Sequence, residues 1–506
     1  MRSARRWIAL LAIALAPPPD SRADALAEAP ATPPPLLARG ASGSGPCEAS
    51  SVGEAPRLDS PRIETTSSIV RPVPLEPCPF PPRASLFPRF DAGRRYLVPT
   101  VESAGAVAIT VAANKWVGKA RWANITLDSI ARNLRSEWVL DDDQFSINQF
   151  GHPYQGLFPY TAARSSGFGF WGSAVFVFGS SLVWEFAGET EPPAINDQFT
   201  TVIGGVALGE MAHRFAETMR ASGGGWRVLA FALDPFAEVN QHALGPTPEE
   251  YRAHSRSIVG AGLSLWTGGD ETRVGGARPR VSFRHRTGLA SDPSLQLQRP
   301  FDHFDVEAAY GGGNGVTMRV RGLVAGRKLG DTPRLRGFWG AFLSYDYDSP
   351  PAEFRTSSSA IGIGAVLSAD LGKGFVVGGT VLGSGVLLGT AGEVQNPRLE
   401  QRNYVMGPGA QGLLELQLDA RDRVLASVEL RQTAVFGAES RQGEELQLHS
   451  RAGVLVRISG PHGLGAEYTE YRRIAHDPLQ GSLRQRGDIV SVYYSFSSGG
   501  WLRGSW

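Results

Sequence analysis

From Ser257 to Ser497 apolar and polar residues alternate with a period of two. In QGLLELQLDA, Leu414, Leu416 and Leu418 share one face, and Glu415, Gln417 and Asp419 share the other. RVLASVELRQ sets Val424, Ala426, Val428 and Leu430 against Ser427, Glu429 and Arg431. GDIVSVYYSFSS repeats the pattern with Val490, Val492, Tyr494 and Phe496. About twelve such segments, parted by turn-rich stretches such as YDSPPAEF, predict antiparallel strands. A soluble sandwich alternates too. Here the apolar faces are long and recur on segment after segment, while Arg319, Arg321, Glu415 and Arg431 occupy the opposite faces. Lipid outside and water inside a closed barrel require that arrangement, and closure satisfies every backbone group in lipid. The expectation for residues 251–506 is a transmembrane β-barrel.

Upstream the period changes to that of a helix, and residues 96–250 are expected to form a small helical domain. AGAVAITVAA, residues 104–113, reads as one strand or a buried apolar segment. NITLDSIARNLRSEW reads as a helix capped by Asn124 or Thr126. Four more helices follow: NQFGHPYQGLFPYTAARSSG, FGFWGSAVFVFGSSLVWEF, TTVIGGVALGEMAHRFAETMR and GWRVLAFALDPFAEVN, the last broken at Asp234-Pro235. The second carries no charge from Phe168 to Trp184 and is borderline for a membrane span. It is rich in Gly and Ser, and Gly205 and Gly209 make a small-residue step on the third. Small residues let helices approach closely, so these two are expected to press together. The fold class is mixed: a helical domain followed by an antiparallel barrel.

The start of the chain reads as an export signal over residues 1–25. Arg2, Arg5 and Arg6 precede a short apolar core from Trp7 to Ala16, and Ala23-Asp24-Ala25 fits a cleavage site. Residues 26–95 are rich in Pro, Ala and Ser and are expected to form a disordered arm. The arm holds both cysteines, Cys47 and Cys78; in an oxidising compartment they either pair or remain free thiols. A net charge of +1 over 506 residues gives no basis for nucleic-acid binding.

The helical domain carries a distinctive set of residues. They run N-x-x-x-H-P-Y-x-G at Asn148 to Gly156, A-A-R ending at Arg164, and F-W-x-S from Phe170 to Ser173. Trp184-Glu185, Asn196-Asp197, Gly204-Gly205 and L-G-E-x-x-H-R from Leu208 to Arg214 complete it. This stretch resembles a bacterial domain family of unknown function, number 3943. The resemblance implies an exported or outer-membrane protein of a Gram-negative bacterium. It implies no reaction.

Glu210 and His213 lie three apart on one helical face, a spacing also found at di-iron sites. With His152 and Glu185 they make a candidate Zn²⁺ or Fe²⁺ set, although no H-E-x-x-H pattern occurs. The same residues suit a hydrolase: His152 or His213 as base, Glu185 or Glu210 orienting it, Ser173 or Ser180 as nucleophile. The plainer alternative is a polar core of Asn148, Arg164, Asn196, Asp197 and Arg214. In it Glu185 pairs with Arg164 or Arg214, and Glu210 with His152 or His213. The functional expectation is an outer-membrane barrel with a helical plug in its lumen or capping its end. Its role would be transport or envelope maintenance, its partners membrane lipid and a small solute or lipid. An outer-membrane hydrolase or metalloenzyme is the alternative.

Overall fold

The computed structural model describes residues 92–222, 224–244, 253–266, 276–311, 315–350, 354–393, 403–439, 443–477, 481–498 and 501–502. The expected signal peptide, nearly all of the expected arm, and Cys47 and Cys78 lie outside the described residues.

The alternating segments close into one antiparallel barrel of twelve strands. They are β1 (Ser255–Trp266), β2 (Arg278–Thr287), β3 (Phe304–Gly311), β4 (Gly315–Asp331), β5 (Leu335–Asp348) and β6 (Thr356–Gly372), then β7 (Phe375–Ala391), β8 (Val405–Ala420), β9 (Val424–Phe436), β10 (Glu444–Ser459), β11 (His462–Asp477) and β12 (Gly481–Ser498). Each pairs with its neighbour in sequence, and β12 returns to β1 with Val259 opposite Phe496. No edge is left unpaired. The turns after β4, β6, β8 and β10 are short, at the rim where β1 begins.

Side-chain parity fixes inside and outside. Arg286 on β2 reaches across the lumen to Glu415 on β8 at 2.7 Å. Arg451 on β10 pairs with Glu307 on β3, and lies 2.6 Å from Glu429 on β9. Arg319 on β4 meets Asp348 at 2.6 Å and Glu307 at 3.1 Å, and Arg431 meets Asp346 at 3.0 Å. Arg280 and Arg284 both pair with Glu467. These residues therefore point inward, and their strand neighbours point out. On β8 to β12 and β1 most outward residues are exposed and apolar, among them Leu416, Val428, Val454, Leu464 and Val492, while Glu470, Arg472 and Arg486 put charge on the outer face of β11 and β12.

Eight helices are described before the barrel: α1 (Ala92–Trp116), α2 (Leu127–Asn133), α3 (His152–Ser165), α4 (Phe170–Ala187), α5 (Ile195–Phe199), α6 (Gly205–Ser222), α7 (Trp226–Leu233) and α8 (Pro235–Leu244). Thr126 caps α2 through a reciprocal bond with Ser129. Single wide turns, Ile147–Gly151 and Thr200–Gly204, lead into α3 and α6. Asp234-Pro235 separates α7 from α8. Residues 104–113, read above as a strand or buried segment, are helical in α1 and largely uncovered. A helix without a polar face gives no 3.6-residue alternation, and its Val, Ile and Thr residues favour strands.

Two packing expectations are corrected. The helices are not a plug: they clad the outer wall of the barrel. Phe283 and His285 alternate with inward Arg284 and Arg286, and both contact Phe215 of α6. Tyr345 and Tyr347 flank inward Asp346; the Tyr345 hydroxyl donates to the Gln149 carbonyl at 2.6 Å, and Tyr347 stacks on Phe145. Phe304, Val306, Val320 and Tyr345 join Val202, Val206, Leu208 and Tyr160 in one apolar core. The second correction concerns the small-residue step, because α6 packs chiefly on α3 and only lightly on α4. Gly156 and Gly205 meet back to back: a Cβ on Gly156 would stand 2.2 Å from the Thr201 carbonyl oxygen, and one on Gly205 2.6 Å from the Gly156 Cα. Glycine is required where two backbones approach that closely.

Gly156→Ala should therefore destabilise the helical block by about 1–3 kcal/mol, the range for overpacking a tight site. The check is thermal unfolding of the helical circular-dichroism signal, with the barrel's heat-modifiable gel migration unchanged.

Candidate functional site

The predicted site residues fall into three separate buried groups. The first is centred on Glu210, which is fully buried on α6. Its Oε2 accepts from the Tyr160 hydroxyl and from Arg164 Nε, both at 2.8 Å, and its Oε1 accepts from Arg214 Nε at 2.8 Å. Arg164 Nη1 also donates to the Phe168 carbonyl at 2.9 Å, and Arg214 Nη2 to the Pro300 carbonyl at 2.8 Å. One carboxylate thus ties α3, α6 and the loop between β2 and β3. With two guanidinium partners and a phenol, it has little free capacity for a metal.

The second group is His213 with Asp234. His213 Nδ1 lies 2.9 Å from Asp234 Oδ2, and Asp234 Oδ1 accepts from the Ala237 backbone N–H at 3.0 Å, capping α8. Glu217 lies 3.6 Å from His213 Nε2. The aspartate of the Asp-Pro break thus serves as a helix cap and a histidine partner at once.

The third group sits at the opposite end of the helices, beside the loop that precedes β8. Asn196 Nδ2 donates to Asp141 Oδ1 and to Asp197 Oδ1, each at 2.7 Å, and Asn196 Oδ1 accepts from the Asp141 N–H at 2.9 Å. Asn148 Nδ2 donates to Asp141 Oδ1 at 2.6 Å and to the Tyr404 hydroxyl at 2.9 Å. His152 Nε2 lies 3.5 Å from Asp197 Oδ1. Glu185 Oε2 accepts from the Ala194 N–H at 2.6 Å. Several atoms here are buried without a hydrogen-bond partner: His152 Nδ1, Glu185 Oε1, Asn148 Oδ1, Gln149 Nε2 and both polar atoms of Gln198. Such orphans are rare in folded proteins and mark the place where polar chemistry remains unspent.

The four candidate ligands therefore do not converge. Glu210 is held by arginines, His213 by Asp234, His152 by Asp197, and Glu185 by a backbone amide. Among the described residues no group of three or more His, Cys, Asp or Glu side chains is placed to hold a metal ion. The pairings also differ from those expected, since Arg164 and Arg214 both serve Glu210 and neither bonds Glu185. The Ser173 hydroxyl is buried without a partner, and Ser180 is half-buried. Sequence reasoning missed Asp141, Tyr160 and Tyr404. Tyr404 lies more than 200 residues from its partner Asn148, and no local pattern marks it.

Loop carboxyls crowd the third group. Burial, followed by the nearby Asp141 and Glu191 charges, pushes the Asp143 carboxyl up to about 6. Burial and Glu185 hold Glu189 well above the ordinary carboxylate range. The lumen is different in kind. Among the described residues, cavities of about 50 and 90 Å³ lie between its cross-barrel ion pairs. Each holds a few waters at most.

The fold and site define a closed antiparallel barrel carrying a helical block on its outer wall. Within it, residues 137–236 match the family model described as a domain of unknown function, DUF3943. That segment contains every residue of the first and third groups except Pro300 and Tyr404. No curated protein matches the sequence. Among solved structures, the chain is similar to the KdgM porin at 10% identity and TM-score 0.24, over 47% of this chain and 99% of that one. It is similar to the NanC porin at 8% identity and TM-score 0.27, over 47% and 98%. It is also similar to the translocator domain of the autotransporter NalP from Neisseria meningitidis, at 13% identity and TM-score 0.24, over 57% and 98%.

Two outcomes follow. Glu210→Ala strands two buried guanidinium groups and should destabilise the block by about 3–5 kcal/mol, read as a fall in the helical melting temperature. Asp143 ionises near 3.8 when unfolded and near 6 when folded, so the folded state holds more protons between those values. Stability therefore falls as pH rises through that window, and the loss is complete at pH 7. Asp143→Asn should raise stability at pH 7.5, by on the order of 1 kcal/mol after discounting for partial exposure, and flatten the pH dependence between 4 and 6.

Proposed function

We propose that the protein is an outer-membrane β-barrel of envelope maintenance in which the helical block is the working part and the barrel its anchor. The observation that carries this reading is the contrast between the two interiors. Cross-barrel ion pairs occupy the lumen, where orphaned atoms such as Arg319 Nε and His449 Nδ1 lie among them; in the family-matched helices His152 Nδ1, Glu185 Oε1 and both polar atoms of Gln198 are buried without a partner and without such a network. The exposed apolar wall of β8 to β12 and β1 supports placement in a bilayer, and the signal-like first 25 residues support export. A lipid or other amphipathic molecule is the substrate class that this position favours. His152 and Asp197, with Glu185 of α4, are the residues assigned to it.

A second reading is passage of a small solute through the lumen. The inward arginines of β2, β4, β9 and β10 favour it, because rows of guanidinium groups attract anions. Planar-bilayer recording separates the two. The wild-type protein should give no steady open-channel current, and Arg286→Ala combined with Glu415→Ala should create one. A steady wild-type conductance would sink the anchor reading and favour transport. In cells, His152→Ala should impair the outer-membrane barrier to detergent and hydrophobic antibiotics at normal levels of folded barrel. An intact barrier would remove His152 from the working site.

A further inference from the structure

We propose that the helical block lies inside the bilayer beside the barrel, with α1 as its lipid-facing transmembrane helix. This rests on the outer-membrane reading and goes beyond it. The block crosses the barrel wall from rim to rim. At the rim where β1 begins, Phe215 packs on His285 and Phe304, and Phe170 packs on Phe301. At the opposite rim Gln149 meets Tyr345, and Phe145 meets Tyr347 and Tyr404. Helix α6 runs from the second rim, where Gly204 sits against Tyr345, to the first. Helix α4 runs the other way. A barrel that spans a membrane therefore carries these helices into the membrane with it.

Helix α1 has the chemistry of a membrane span. From Tyr96 to Trp116 it has 21 residues, about 30 Å of helix, which matches the hydrocarbon thickness of a bilayer. It is not a core helix, since Val101 is 60% exposed, Ile109 71% and Trp116 74%. Tyr96 and Trp116 stand at its two ends, as interfacial aromatics do, and Lys115, Lys119 and Arg121 cluster at the second end. Its polar side chains turn inward or back on the helix. Thr100 Oγ1 donates to the Tyr96 carbonyl at 2.6 Å, Thr110 Oγ1 to Ala106 at 2.9 Å, and Asn114 Nδ2 to Thr110 at 2.9 Å. Satisfying polar groups within the helix is what hydrocarbon demands and water does not. Glu102, the acidic residue of this span, accepts from Asn240 Nδ2 of α8 at 3.1 Å.

The outward residues of β8 to β12 and the exposed residues of α1 and α4, such as Ile109, Val175 and Val183, form two apolar surfaces on one rim-to-rim body. Acyl chains that wet one surface wet the other. Hydrocarbon is therefore the occupant that the uncovered face of α1 fits.

The test is site-directed spin labelling in phosphatidylcholine vesicles, using the full chain with Cys47→Ser and Cys78→Ser. Labels go at Ile109 and Val101 on α1, and at Val428 and Val492 on the barrel. Collision with oxygen, which partitions into lipid, is compared with collision with a water-soluble nickel chelate. The expected result is at least a fivefold excess of oxygen over nickel accessibility at Ile109, matching Val428, and a similar excess at Val101 should a label at Ile109 prevent folding. Nickel-dominated collision on α1 with oxygen-dominated collision at Val428 and Val492 would overturn the inference and leave the outer-membrane reading standing. Nickel-dominated collision at all four would overturn both. Low collision with either reagent on α1 alone would mean that a second copy or another protein covers it, and that also overturns the inference.

Discussion

The architecture depends on closing charges across a narrow lumen. A strand that turns every second residue outward as Leu or Val turns the residues between inward, and here those are arginines and carboxylates. An unpaired charge in such a space is costly, and removing one partner of a buried pair costs about 3–5 kcal/mol. Pairs such as Arg286 with Glu415 and Arg451 with Glu307 come from strands far apart in sequence, so they form only once the sheet has closed in register. The same pairs occupy the centre of the barrel, and the helices pack on its outside.

That surface is used unevenly. One flank, from β8 round to β1, presents mainly aliphatic side chains, with Tyr468, Tyr494 and Phe496 among them. The other meets helices through aromatic residues, and Phe283, Phe304, Tyr345 and Tyr347 supply broad flat contacts with a polar tip where one is needed. Gly156 and Gly205 bring α3 and α6 so close that the polar side chains behind them have fixed neighbours. The Glu210 group at one end is satisfied on every side; the His152 and Asp197 group at the other is not. One cluster is therefore fully bonded, and the other keeps unspent hydrogen-bonding capacity.

Much of this was legible in the sequence. The period-two segments marked the strands and their inward and outward faces, because lipid and a charged interior impose opposite chemistry on adjacent residues. Helix limits were legible at Thr126, Asp234 and Pro235, where caps and breaks are local. The side of the wall on which the helices pack was not, because a plug and an outer cladding both need apolar, small-residue faces. The aromatics of β2, β3 and β5 suit lipid or helix equally well. Helix α1 was misread for a related reason: a helix that is apolar on every face lacks the polar stripe by which helices are recognised. The partners of Glu210 and Asn148 come from distant segments, and Tyr404 has no local mark at all.

The order of the chain adds a consequence of the cladding. The helices come first and their wall comes last, since Phe215 must wait for His285 and Phe304, and Gln149 for Tyr345. Synthesis thus delivers a long stretch of apolar helix before the strands that will shelter it exist. Until the barrel closes, that segment stands without the aromatic residues it packs against, so its burial waits on the last hairpin and not on the first helix.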